Sequence, residues 1–170
     1  MGDPHYFATM PSPVGELTLV ASGHGLRAIL WPDDDDRVPL PEAMLEQQDR
    51  PVLTDAKRQL TEYFEGSRTE FDLPLDLRGT EFQKAAWQAL ADIPYGTTAS
   101  YAEQASRIGR PTAVRAIGAA NGRNPLSIVL PCHRVVGSNG SLTGFAGGLD
   151  SKRLLLQHEG ALGEPTLPLS

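Results

Sequence analysis

The sequence predicts a mixed α/β (α+β) protein of two domains, a strand-rich first half and a mostly helical second half containing a helix-turn-helix. Three observations carry that prediction. Apolar residues alternate with period two near the N-terminus, capped helical patterns follow one another from Thr80 onward, and the charge balance changes between the halves. The boundary falls at Arg78 and Gly79, giving domains 1–78 and 79–170.

In the first half, Leu17, Leu19 and Ala21 alternate with Glu16, Thr18 and Val20. Ser22-Gly23-His24-Gly25 supplies a turn, and Leu26, Ala28 and Leu30 alternate again, which makes a hairpin. Tyr6 to Thr9 adds a third strand, joined to the hairpin through Pro11-Ser12-Pro13 and Gly15. Asp33 to Pro51, with three prolines and clustered acids, reads as a surface loop. Ala56, Leu60, Tyr63 and Phe64 keep helical spacing up to a stop at Gly66. Phe71 to Leu77, interrupted by Pro74, reads as an edge strand or an extended linker.

The second half has a different grammar. Thr80 with Gln83 forms a capping-box pattern ahead of a helix whose Phe82, Ala86, Ala89, Leu90 and Ile93 share a face; Pro94-Tyr95-Gly96 ends it. Ser100 with Glu103 repeats the pattern for a helix that stops at Gly109. Pro111 suits a first helical position, so the next helix is expected from there through Thr112 to Asn121. Two short helices joined by Gly109-Arg110-Pro111 have the spacing of a helix-turn-helix, with Arg115 on the second; an ordinary αα corner has the same pattern. Asp150 caps a last helix, Ser151 to Glu159, that stops at Gly160, and the tail beyond Leu162 is expected to fray.

Composition limits the setting. The chain has 170 residues, a formal net charge of −6 and a single cysteine. One cysteine permits neither an internal disulfide nor a several-cysteine zinc site, so a reducing compartment, the cytoplasm, is expected. No segment approaches membrane-spanning length and the N-terminus carries no signal-like pattern, so no membrane partner is expected. The acidic total conceals a local reversal. From Thr98 to Val136 the only acid is Glu103, against Arg107, Arg110, Arg115, Arg123 and Arg134, which reads as a positive face suited to nucleic acid. The acidic run Asp33 to Asp36 reads as solvated loop rather than a metal site.

The chain's one cysteine ends the apolar run Ile128-Val129-Leu130-Pro131-Cys132, followed by His133-Arg134-Val135-Val136. A thiol is only a few per cent thiolate near neutral pH, so a reactive cysteine needs a base or a stabilising charge beside it. His133 is the nearest candidate base. Neighbouring residues in an extended chain point to opposite sides, so a direct bond would need a turned backbone, and a bridging water would serve instead. A basic histidine also needs an acidic partner, and Glu159 is selected from Glu81, Asp92, Glu103, Asp150, Glu159 and Glu164. A buried, packed thiol remains the bland alternative.

Pro131-Cys132-His133-Arg134-Val135, with Asn124-Pro125 before it and Gly147-Gly148 and Lys152 after it, resembles the signature of the DNA alkyltransferases that repair 6-O-alkylguanine. The resemblance runs from about Gly79 to Gly160, through Pro94-Tyr95-Gly96, Ser100-Tyr101, Ala113-Val114-Arg115-Ala116-Ile117-Gly118 and His158-Glu159-Gly160. The first half is similar in layout, Ser12-Pro13-Val14-Gly15 preceding a hairpin, and the resemblance implies a ribonuclease H-like α/β domain there and a winged-helix-like one after it.

The resemblance implies a single-turnover alkyl transfer to Cys132 from 6-O-alkylguanine, and from 4-O-alkylthymine, in duplex DNA, with no cofactor and no obligatory protein partner, by a monomer. It implies that Glu159 orients His133, which takes the thiol proton through a water. The resemblance further implies that Arg115 fills the stack left by a base flipped through the minor groove, that Tyr101 helps rotate the nucleotide and donates to a guanine ring nitrogen, and that the Ala146 amide holds the guanine oxygen. Carbonyls of Cys132 and Val135 resemble those that accept from the exocyclic amine, Asn124 resembles a hinge linking recognition helix to site, and Lys152 is expected to support the pocket. Thr112, Ala113, Gly118 and Arg110 are expected to complete the DNA-facing surface, with Ala116, Ala119 and Ala120 permitting close approach. Phe145 stands where the family commonly has tyrosine, keeping the aromatic wall without the hydroxyl. Some members bind zinc through N-terminal cysteines; this chain has none there, so no metal is expected. Two rivals remain: a lesion-binding protein without chemistry, against which Cys132 argues, and a cysteine hydrolase, which would turn over repeatedly.

Overall fold

The computed structural model describes residues 3–34 and 37–162; Asp35 and Asp36 of the acidic run, and the tail expected to fray, lie outside the described residues. The chain divides into two compact units: Met1–Gly79 with Pro125–Val129, and Thr80–Asn124 with Leu130–Ser170. The expected second domain, 79–170, included residues 125–129; nothing in Pro125-Leu126-Ser127-Ile128-Val129 marks a buried stretch as belonging to one unit or the other.

The first unit is a four-stranded sheet and one long helix. Strands β1 (His5–Met10), β2 (Leu17–Ser22), β3 (Gly25–Leu30) and β4 (Leu45–Glu46) lie in the order β3-β2-β1-β4. β1, β2 and β3 form an antiparallel meander, and β4 joins β1 in parallel. Helix α1 (Pro51–Glu65) packs on β1–β3 and buries Leu53, Ala56, Leu60 and Tyr63. Val20, Ala28 and Val38 form a cluster with Phe7, Leu30, Leu40 and Met44 packed against it.

That cluster corrects the reading of Asp33 to Pro51 as a surface loop. Its Val38 is buried, its Leu45-Glu46 pairs with β1, and its last residue, Pro51, opens α1, where a missing N–H costs nothing. β2 is therefore buried on both sides from Leu19 to Ser22, with a register shift between Val20 and Ala21, so its alternation is not a half-solvated one. The stretch 71–77 makes a single parallel bridge, Leu75 beside Leu26. Gly25, at φ +151, has room for no side chain, since a Cβ there would stand 2.6 Å from the Pro74 carbonyl oxygen. Residues 125–129 run beside β3, with the Ile29 amide donating to the Pro125 carbonyl at 2.8 Å.

The second unit is helical. Helices α2 (Glu81–Leu90), α3 (Tyr101–Arg107) and α4 (Val114–Gly122) pack on one another around Ala86, Ala105, Ile117 and Ala120. Both capping boxes form: Thr80 and Gln83 satisfy one another's amides at the start of α2, Ser100 and Glu103 at the start of α3. Strand β5 (Ala99–Ser100) pairs in parallel with β6 (Val135–Val136), and helix α5 (Leu149–Glu159) closes the unit.

Two helix starts differ from expectation. Pro111 is a turn residue, not the first of a helix: the Ala113 amide closes a turn on the Arg110 carbonyl, where proline's fixed φ is equally suitable, and α4 begins at Val114. Thr112 and Ala113 therefore precede α4. Helix α5 is capped by Gly148 without any side-chain bond, and Asp150 lies in its first turn, where its charge complements the helix dipole instead.

The helix trio is pinned by buried amides. Gln104 and Asn121 bond each other reciprocally at 2.9 and 2.8 Å, and Gln104 also donates to the Ala86 carbonyl, so all three helices meet at one side chain. Gln104→Leu would leave the buried Asn121 amide without its partner and remove the tie to the Ala86 carbonyl. A loss of about 2–3 kcal/mol is expected in denaturant unfolding, against little change for the exposed Gln88→Leu.

Candidate active site

The run around the cysteine is not one straight strand. Cys132, His133 and Arg134 form a 3-10 turn between Pro131 and β6, with the Val135 amide donating to the Cys132 carbonyl. The backbone thus turns where an extended chain would have held Cys132 and His133 on opposite sides. All three residues are buried, Cys132 at 5% exposure.

The last turn of α5 delivers Glu159 to this turn. Its carboxylate meets His133 Nε2 at 2.8 Å, the Arg134 guanidinium through Nε at 2.9 Å and Nη2 at 3.0 Å, and the Gly96 amide at 3.3 Å. Gly96, at φ +81, packs beside the Glu159 backbone, where a Cβ would stand 3.2 Å from its carbonyl oxygen. His133 Nδ1 is buried without a protein hydrogen-bond partner, which leaves it available to a proton donor. Burial pushes the His133 pKa below its ordinary value; the hydrogen bond and charge of Glu159 oppose this, while the positive charges of Arg134 and Lys152 add to it. The ring is therefore held neutral and can act as a base.

Arg134 corrects one expectation. Counted by sequence among the arginines of a positive face, it is 5% exposed, chelates Glu159, donates to the Ile93 carbonyl at 2.6 Å and lies 5.7 Å from the centre of the Tyr95 ring. A guanidinium whose donors are so matched belongs to the interior. The signal that could have revealed it was its place beside a histidine needing an acid. Arg110, Arg115 and Arg123 remain exposed.

Lys152, one turn into α5, is 1% exposed and donates to the carbonyls of Val135 at 2.7 Å and Thr143 at 3.0 Å. Burial pushes its pKa down, and negative charge on Cys132 works in the opposite sense. By the same Coulombic interaction, the ammonium favours a thiolate at Cys132. Asn124 is wholly buried and donates through Nδ2 to the Leu130 carbonyl at 2.8 Å, tying the chain just after α4 to the chain just before Pro131.

A cleft of about 660 Å³ lies in the same unit, lined by Tyr101, Val114, Arg115, Gly118, Gly122, Gly137, Thr143, Gly144, Phe145 and Ala146. The structure thus brings together Tyr101, Arg115, Gly118, Phe145 and Ala146. Arg110 and Thr112 lie on the turn before α4 and are not among its walls; Arg110 sits 6.0 Å from the Phe82 ring centre. Thr143 had no place in the sequence reading, yet its Oγ1 is 2.7 Å from the Tyr101 hydroxyl. No group of three or more metal-ligating side chains occurs among the described residues, nor any helix long and apolar enough to cross a membrane.

The sequence and the fold match those of known proteins. Residues 81–161 match the model of the DNA binding domain of 6-O-methylguanine DNA methyltransferase, and residues 5–77 match that of its ribonuclease-like domain. The chain is 45% identical over 156 residues to the methylated-DNA-protein-cysteine methyltransferase of Methanosarcina acetivorans, covering 92% of this chain and 99% of that one. It is 46% identical over 158 residues to the constitutive methylated-DNA-protein-cysteine methyltransferase of Bacillus subtilis, covering 91% and 95%. The crystal structure of Mycobacterium tuberculosis OGT in complex with DNA superposes with a TM-score of 0.83 at 46% identity, covering 91% of this chain and 92% of that one. The chain belongs to the 6-O-methylguanine DNA methyltransferase family.

Proposed function

We propose that this protein repairs alkylated DNA by direct reversal, moving the alkyl group of 6-O-alkylguanine in duplex DNA onto Cys132. One observation carries the reading: the chain's one cysteine adjoins a buried histidine whose Nε2 is fixed by Glu159 and whose Nδ1 has no protein partner. In the reaction the Cys132 sulfur forms a bond to the alkyl carbon while that carbon's bond to the guanine oxygen breaks. The electron pair leaves with guanine, and the thiol proton passes through a water to His133 Nδ1. The product is a thioether, a poor leaving group, so each molecule reacts once. Glu159 balances the imidazolium, and Lys152 steadies the thiolate before attack.

DNA is the partner by the same reasoning, since the mycobacterial relative was crystallised with it. A stacked base is out of reach, so the damaged nucleotide is flipped into the cleft. Arg115 and Gly118, on α4 and at the cleft wall, face the duplex, and the small exposed residues Ala116 and Ala119 let the helix lie close in a minor groove. Phe145 offers an aromatic wall and the Ala146 amide a donor for the guanine oxygen. The Val135 carbonyl, already accepting from Lys152, has a second lone pair for the exocyclic amine. The protein acts as a monomer.

The test is stoichiometry. With methyl-labelled duplex in excess, label on the protein is expected to saturate at one equivalent, whereas continued turnover would support a hydrolase and tight lesion binding without label a purely binding protein. Arg115→Ala is expected to slow transfer from duplex by about tenfold or more while sparing a 6-O-alkylated free base. Equal loss on both would place Arg115 in folding or chemistry.

The transfer rate is also expected to fall in acid. His133 must be neutral to accept the proton, and its folded pKa lies below the ordinary value of about 6.5, so the acid limb of the rate profile lies below that pH. Stability moves with the same sign. Below about pH 6.5 the unfolded chain takes up a proton that the buried ring refuses, so this contribution is whole above that pH and is lost as the solution becomes more acid. A rate that rises on acidification would overturn the assignment.

A further inference from the structure

Tyr101 opens α3 and Thr143 lies in the loop before α5, yet their hydroxyls meet at 2.7 Å on the wall of the cleft. Thr143 is anchored there by Lys152, whose buried ammonium donates to the Thr143 carbonyl at 3.0 Å. Phe145, also on the wall, carries no hydroxyl to compete for either group.

A phenol has one proton. If it is spent on Thr143, Tyr101 has none for a ligand; if Thr143 donates instead, the phenolic proton is released toward the cleft. Both arrangements use the same heavy-atom positions, so switching costs only rotation of two O–H bonds. When an acceptor arrives, the chain Thr143 O–H to Tyr101 O, Tyr101 O–H to acceptor is the polarised one, each bond strengthening the next. As negative charge grows on the departing purine it draws the Tyr101 proton, and the phenol oxygen left richer in electrons is the atom that Thr143 holds.

We propose that Thr143 is a positioning residue for Tyr101: its hydroxyl donates to the phenol oxygen and so directs the phenolic proton at a ring nitrogen of the bound guanine. This rests on the alkyl-transfer reading above. Thr143 touches no reacting atom, and it acts through the acidity and direction of the Tyr101 hydroxyl.

The experiment compares single-turnover transfer by wild type, Thr143→Val, Thr143→Ser and Tyr101→Phe, on duplexes carrying 6-O-methylguanine or its 3-deaza analogue, in which N3, the purine acceptor of the minor-groove edge, is carbon. Wild type must first transfer methyl to protein; if it does not, the functional reading fails before Thr143 is tested. Thr143→Val, which keeps the shape without the hydroxyl, is expected to be slower by about tenfold on 6-O-methylguanine. On the 3-deaza base, and in the Tyr101→Phe background, the same substitution is expected to change nothing further. Thr143→Ser should restore the rate. An unchanged rate for Thr143→Val, or an equal loss on both bases, would overturn the proposal, the second because it marks Thr143 as a wall of the pocket only.

Discussion

Glu159→Gln is expected to be the most damaging conservative substitution in the chain, costing about 3–5 kcal/mol of stability and slowing alkyl transfer by about a hundredfold or more. The carboxylate is the single anion shared by two buried partners, His133 and Arg134, and is fully enclosed itself. An amide of the same shape keeps one acceptor oxygen but carries no charge, so the buried Arg134 guanidinium loses its counterion and one of its two bonds to residue 159. It also presents His133 with a group that no longer stabilises an imidazolium, so proton transfer from the thiol meets a higher barrier. Denaturant unfolding and single-turnover rates measure the two losses separately. Stability lost with the rate intact would make the Glu159 network a structural ion pair that happens to adjoin a histidine.

Cys132→Ser is expected to abolish transfer while leaving recognition of the lesion in place. Serine replaces the sulfur with an oxygen whose proton His133 cannot remove to any useful extent, and the Lys152 ammonium has no thiolate to steady. Because Cys132 sits at 5% exposure in a tight turn, the smaller, more polar hydroxyl costs up to about 1–3 kcal/mol, which leaves a folded protein in which binding can be measured. Undiminished affinity for a duplex carrying 6-O-methylguanine, with no methyl on protein, is the predicted pair of results. Residual transfer at the wild-type rate would move the acceptor to another side chain.

Local features were the legible ones. The capping boxes at Thr80 and Ser100 and the hairpin turn at Ser22 to Gly25 are short-range hydrogen-bond and backbone problems, solved within a few residues and so visible in the string. Pro111 was ambiguous because proline's φ suits a turn and a helix start alike. Arg134 was misplaced because exposure is set by what lies across the fold: only the packing of α5 on the 3-10 turn reveals that Glu159 claims both it and His133. Glu159 itself was one of six acids by position, and the interaction that singles it out spans 26 residues. Thr143 carried no sequence signal at all, since a threonine in a glycine-rich loop gains meaning only from the tyrosine it meets. The packing of Val38 and the pairing of Leu45-Glu46 with β1 were hidden by the prolines and acids of Asp33 to Pro51, which describe the exposed side of that segment.

Peptide mapping of the reacted protein tests the assignment of Cys132 as a nucleophile spent once. The protein is incubated with an excess of duplex containing 6-O-methylguanine, digested, and its peptides weighed. A single added methyl group is expected on the peptide holding Cys132, reaching one per molecule and going no further, with unmodified guanine left in the DNA. A lesion consumed beyond one equivalent, or a protein whose Cys132 remains unmodified after the lesion has gone, would contradict it.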